Sequence, residues 1–163
     1  MLFLANKLND LSFSALMELY IEGNQENAAD QWKHLPEQFA LRKVEQDFYL
    51  YLKDEFFKTP GAYYAVWQAY GCYISVLRLE PYQDGLLLEA LETHPDYRRQ
   101  GYAKGLIEAV IQQFSGRKIY SHVNQRNIPS LRTHQACGFR MIMDHAVYID
   151  GSVDYRACTL VYE

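Results

Sequence analysis

The segment that most constrains this chain lies past its midpoint. There the apolar run Leu87-Leu88-Glu89-Ala90-Leu91-Glu92-Thr93 passes through His94-Pro95-Asp96-Tyr97-Arg98-Arg99-Gln100-Gly101 straight into a helical pattern. The run before the loop has the length and composition of a strand. After it, Ala103, Leu106, Ile107, Val110, Ile111 and Phe114 recur at helical spacing, the stripe of an amphipathic helix closed by Ser115-Gly116. A loop of small residues that opens directly into a helix leaves backbone N–H groups unpaired and aimed at one place, where an anion completes them. Gly101 and Ala103 are small enough for the backbone to approach a phosphate, and Arg98, Arg99 and Lys104 add positive charge. Taken alone, the glycine spacing is weak and fits an ordinary tightly packed helix start better.

Around this segment the chain reads as a mixed α/β or α+β fold. Leu16, Leu19 and Tyr20 give a first helix from Ser12 to about Ile21, with Gly23-Asn24 as its stop. Leu41, Val44, Phe48, Tyr51 and Leu52 give a second after Pro36, ending before Thr59-Pro60-Gly61. The period then changes to two, and three strands follow over Ala62–Tyr70, Cys72–Leu79 and Gly85–Thr93, joined by connections short enough for hairpins. Beyond the amphipathic helix come a strand at Lys118–Val123, a short helix over Ser130–Cys137 and two closing strands, Arg140–Ile149 and Tyr155–Tyr162, with Asp150-Gly151 as their turn. With a strand at the N-terminus, the order is strand, two helices, three strands, helix, strand, helix, two strands.

Composition narrows the function classes. At 163 residues with no repeat or linker, the chain is expected to form a single domain over 1–163. A formal net charge of -4 and the lack of a Lys/Arg run argue against nucleic acid and mildly favour a cationic partner. Cys72, Cys137 and Cys158 form an odd set without metal-ligand spacing, which suits reduced thiols in the cytoplasm, and no metal site is expected. No signal peptide is read at the N-terminus, and no segment approaches the ~20 apolar residues of a membrane span. Nothing distinguishes a monomer from a homodimer.

The run Arg98-x-x-Gly101-x-Ala103, lying between a strand and an amphipathic helix, resembles the Q/R-x-x-G-x-G/A motif of the GNAT superfamily of N-acetyltransferases. Asn127-Ile128-Pro129-Ser130 through Gly138-Phe139 is similar to that superfamily's second signature, and the element order of the whole chain is similar too. The resemblance implies a mostly antiparallel central sheet flanked by about four helices. It also implies acetyl-coenzyme A as co-substrate and transfer of its acetyl group to an amine. The cofactor's pyrophosphate would sit on Arg98, Arg99, Gln100, Gly101, Tyr102, Ala103 and Lys104. Its pantetheine arm would run along Leu91, Glu92 and Thr93 toward a gap between strands, with Asn127 nearby.

Direct transfer needs a neutral amine, a polarised thioester carbonyl and a proton for the leaving thiolate. A lysine-like amine costs about 4.6 kcal/mol to deprotonate at pH 7, so a base must assist. Glu89, a carboxylate in an otherwise apolar run, is the preferred base, because desolvation raises its pKa toward a useful value; Glu92 is the other candidate. In a regular strand Glu89 shares a face with Leu91 and Thr93 while Glu92 points away, and a bulge would reverse that. Where the superfamily usually has a tyrosine seven residues after the Asn, this chain has His134, which is expected to serve as the acid for the thiolate. That departure also admits a second reading, a non-catalytic module that binds acyl-coenzyme A. Tyr63, Tyr64 and Trp67 are candidates for an acceptor pocket or for plain core, and His94, His122 and His145 are assigned no chemical task.

Overall fold

The computed structural model describes residues 1–163. In chain order its elements are β1 (Leu2–Ala5), α1 (Phe13–Leu19), α2 (Ile21–Gln31), α3 (Glu37–Asp54), β2 (Tyr63–Ala69), β3 (Cys72–Tyr82), β4 (Gly85–Thr93), α4 (Tyr102–Gln113), β5 (Lys118–Asn124), α5 (Ile128–Ala136), β6 (Arg140–Met143), β7 (Ala146–Val147), β8 (Val153–Asp154) and β9 (Ala157–Tyr162). One sheet of seven strands runs β1-β2-β3-β4-β5-β9-β6, and β7 and β8 form a separate small hairpin. Every neighbouring pair in the large sheet is antiparallel except β4 and β5, which α4 connects in parallel.

Alternation along the strands divides the core into two layers. Tyr64 and Val66 of β2 and Val76 of β3 face Leu16, Leu19, Leu52 and Phe56 from the α1–α3 side. Ala65 of β2, Leu77 and Leu79 of β3 and Leu86 and Leu88 of β4 face Leu106, Ile107 and Val110 of α4. These three α4 side chains are fully buried, and each contributes about 1.5–3 kcal/mol relative to exposure, which anchors the helix and with it the loop at its start. Gly85 lies so close to β5 that an added Cβ would sit 2.2 Å from the Lys118 carbonyl oxygen, so only glycine permits the parallel pair to begin there.

Two expectations need correction. A further helix precedes β2, because Gly23-Asn24 does not end the helical region; α1 ends at Leu19 and α2 starts at Ile21, carrying Gly23 in its first turn. Asn24 is buried, with its Nδ2 3.5 Å from Met17 Sδ, and Ala28 packs with Ala40 and Val44 of α3. Tertiary packing therefore outweighs the propensity penalty of one glycine, about 1 kcal/mol. The strand read over Arg140–Ile149 is broken, because Gln125 Nε2 binds the Asp144 carbonyl at 2.7 Å and Thr159 Oγ1 binds that of His145 at 2.7 Å. The chain past that break belongs to the β7–β8 hairpin, whose turn contains Asp150 and Gly151 (φ 84°) as expected.

Candidate active site

From Arg99 to Lys104 no backbone N–H has an acceptor within the chain, and the first bond of α4 runs from Gly105 N–H to the Gly101 carbonyl at 2.9 Å. Arg99 and Gly101 are left-handed, at φ 59° and 85°, a conformation that lets consecutive N–H groups form an anion-binding concavity. A Cβ added at Gly101 would meet nothing within 4 Å, so the space in front of this turn is open. The turn borders a cleft of about 820 Å³ that also takes in Leu91, Glu92, Thr93, Asn127 and Ser130.

The sequence-derived candidates fall around this cleft with different degrees of freedom. Arg98, Arg99, Gly101, Tyr102, Ala103 and Lys104 line it, whereas Gln100 does not and gives its Nε2 to the Asp96 carbonyl at 3.3 Å. The Arg98 guanidinium is committed inside the protein, to the Thr93 carbonyl at 3.3 Å, Glu22 at 2.7 Å and Glu92 at 3.4 Å. The Arg98 side chain is therefore not free to meet an anion. Lys104 lies 3.6 Å from Glu108 on the exposed side of α4. Asn127 caps α5, its Oδ1 accepting the Ser130 N–H at 3.2 Å.

Pairing between β4 and β5 ends at Leu88 opposite Ser121, although β4 runs on to Thr93 and β5 to Asn124. The two strands part here, and β4 beyond this point lacks a neighbour on that side. A bulge marks the same stretch. Arg78 faces Glu89 and Val76 faces Glu92 across β3 and β4, so Ala90 and Leu91 together oppose Leu77, and Ala90 takes φ 51°. Left-handed backbone costs a non-glycine residue about 1–2 kcal/mol. The bulge overturns the regular-strand geometry: Leu91 packs on the α4 side, and Glu89 and Glu92 share the opposite face.

On that face Glu89 is mostly buried, its Oε2 has no hydrogen-bond partner, and its pKa is pushed up to about 8 by burial and by the neighbouring Glu80 carboxyl. Arg78 opposes this rise only in part; its guanidinium stacks over Tyr51 at 5.1 Å and over Phe48 and Phe56 at 5.8 Å. Glu92 is raised by burial, with Arg98 opposing. Tyr64 is buried with its hydroxyl on that of Tyr20, and Tyr63 and Trp67 pack against the α4-side core, so the three β2 rings belong to the core.

His134 is 1% exposed and both ring nitrogens are engaged. Nδ1 lies 2.8 Å from the Ser130 carbonyl, which can only accept, so Nδ1 carries the proton and Nε2 accepts from Ser121 Oγ at 2.9 Å. Burial lowers its pKa. Sequence reasoning passed over His122, which lies on β5 beside the parting strands together with Tyr148 and Asp154 of the small hairpin segment. Its only local signal was a polar ring in an alternating strand.

A strand, a turn of unpaired amides and a helix lie beside two parting parallel strands. The acetyltransferase (GNAT) family model matches residues 16–139, and the chain belongs to that family, whose activity is acetyl transfer. The fold is similar to that of a PaiA N-acetyltransferase from Thermoplasma acidophilum in complex with coenzyme A, at 12% identity and TM-score 0.65 over 100% of this chain and 99% of that one. It is similar also to an N-acetyltransferase from Staphylococcus aureus, at 14% identity and TM-score 0.65 over 98% and 100%. A third similar fold is the ribosomal-protein-S18-alanine N-acetyltransferase of Escherichia coli, at 17% identity and TM-score 0.58 over 99% and 92%. No curated protein matches the sequence. No helix is long and apolar enough to cross a membrane.

Proposed function

We propose that this protein moves the acetyl group of acetyl-coenzyme A directly to a primary amine of a small molecule or peptide. The observation that carries the reading is the run of unpaired N–H groups from Arg99 to Lys104, opening on the cleft that also takes in Leu91–Thr93 of the freed strand. The turn suits a pyrophosphate, and the free side of β4 past Leu88 suits the amides of a pantetheine arm, which can pair with it as an added strand. When bound, acetyl-coenzyme A supplies the activated thioester; the protein supplies position and proton transfer.

Glu89 is the base in this reading. Its carboxyl pKa is raised to about 8 by burial and by a hydrogen bond and charge interaction with the Glu80 carboxyl, and it stands where β4 leaves β5. His134 has no ring N–H left to give, so we assign it the task of tying α5 to β5 through Ser130 and Ser121. The leaving thiolate then takes its proton from solvent. The test is calorimetry with acetyl-coenzyme A, followed by thiol-release and mass-spectrometric assays over a panel of primary amines. Tight binding with acetylated product supports the proposal. Binding without thiol release would leave the non-catalytic module, which the engaged His134 motivates.

A further inference from the structure

We infer that His122 is a second proton acceptor for the amine and that the acceptor nitrogen sits between His122 Nε2 and Glu89 Oε2; this rests on the transfer reading above. The register places the two residues together. Leu88 and Ser121 are the last partners of the parallel pair, so Glu89 and His122 are the first residues beyond it on either side of the opening. Alternation turns both to the face opposite Leu88 and Ser121. They line one cavity of about 280 Å³ with Ala90, Asn124, Tyr148 and Asp154.

Each contributes a buried polar atom without a geometric hydrogen-bond partner, Nε2 of His122 and Oε2 of Glu89, whose carboxyl has only the Glu80 carboxyl beside it. Buried polar atoms are normally satisfied, and two orphans on one small cavity point to a ligand that completes both. An ammonium or amine nitrogen carries enough N–H groups to reach both atoms at once. A hydroxyl carries a single hydrogen and, once Glu89 is ionised, satisfies only one of the two acceptors, which favours an amine over an alcohol acceptor.

The imidazole is held for this task. Its ring lies edge-on to Tyr82 at 5.4 Å and to Tyr148 at 5.2 Å. The Tyr82 hydroxyl donates to the Val147 carbonyl and that of Tyr148 to Asp154 at 3.1 Å, so the β7–β8 segment fixes the ring's orientation. The titratable groups around it are Tyr82 from β3, Glu89 from β4 and Tyr148 and Asp154 from the hairpin segment; Tyr120 packs on Tyr82, and Arg78 and Glu80 face Glu89. Burial lowers the His122 pKa, which disfavours the imidazolium and favours a ring that can accept a proton.

A primary ammonium has three N–H bonds and the amide product keeps one, so two protons must leave. Glu89 takes the first and frees the lone pair. As the C–N bond forms and the C–S bond breaks, His122 Nε2 takes the second. The thiolate is protonated by solvent, Glu89 and His122 return their protons to solvent, and one proton is released in total.

The test uses the full chain as wild type, His122→Ala and His122→Gln, with fold checked by circular dichroism and acetyl-coenzyme A affinity by calorimetry. The expected result is unchanged cofactor affinity, a kcat about 100-fold lower in both variants, and at least partial recovery of His122→Ala by added imidazole. In protein without acetyl-coenzyme A, the best amine of the panel should shift the His122 ring resonance while the corresponding alcohol does not. A kcat within twofold of wild type, no imidazole rescue, or equal shifts from amine and alcohol would overturn the inference. Absence of wild-type turnover with the amine shift still present would instead sink the transfer reading and leave the amine site standing.

Discussion

The two ends of the candidate site are built differently. The turn at Arg99–Lys104, the proposed pyrophosphate site, is a main-chain device: it presents six consecutive unpaired amides set by local backbone and by the anchoring of α4. The opening beside Glu89 is a side-chain device, assembled from β4, β5 and the hairpin segment around two unsatisfied atoms. The first tolerates any side chains that keep the space clear, whereas the second depends on identity at each position. If the proposed function holds, binding of the cofactor and choice of the acceptor rest on separate parts of the fold.

The strongest way to break that comparison is Gly101→Trp. The indole would fill the open space before the turn, and binding of acetyl-coenzyme A, measured by calorimetry, should fall about 100-fold or more, since each charge at a helix terminus is worth up to about 2 kcal/mol. The left-handed backbone there costs about 1–2 kcal/mol with a side chain present, so the protein should still fold. Unchanged affinity would show that the amides are not the anchor.

Glu89→Gln probes the other end and should leave cofactor affinity intact. Only the ionised carboxylate accepts a proton, so wild-type kcat should climb with pH through about 8, and the variant should lose about 100-fold in kcat together with that dependence. Stability supplies an independent check. The folded pKa of Glu89 lies above its unfolded value, so its contribution is full below the ordinary carboxylate range and is lost as pH rises through about 8. Glu89→Gln should therefore gain on wild type between pH 5 and pH 9, by roughly 2–4 °C in Tm for each kcal/mol. A constant Tm difference over that range would contradict the burial assigned to Glu89.

His134→Phe sharpens the distinction between catalytic and structural imidazoles. Loss of its two buried bonds should cost about 1–3 kcal/mol in denaturant unfolding, while kcat of the folded enzyme stays within about threefold. A large fall in kcat with unchanged stability would restore the acid role. The smallest effect is expected from Glu22→Ala. The Arg98–Glu22 pair is half exposed, so its loss should cost no more than about 1 kcal/mol and move cofactor affinity less than twofold.

How much was legible follows the same division. The Leu106, Ile107 and Val110 stripe, the Gly101 turn and the strand before it are local patterns, and each element stands where its pattern lies. α2 was not legible, because it carries little apolar periodicity and its burial comes from α3. The shared face of Glu89 and Glu92 was left open, because an alanine gives no sign that it will adopt a left-handed conformation. The commitment of His134 and the freedom of His122 depend on Ser121, Ser130, Tyr82 and Tyr148, which lie on separate elements.

The sequence by itself determined the α/β class, the family and the position of the turn at Gly101, because these rest on period, small residues and spacing within a few consecutive positions. The tertiary structure alone decided which carboxylates and imidazoles meet at the opening, because a bulge at Ala90 and the parting of β4 from β5 set the facing of side chains distant in the chain.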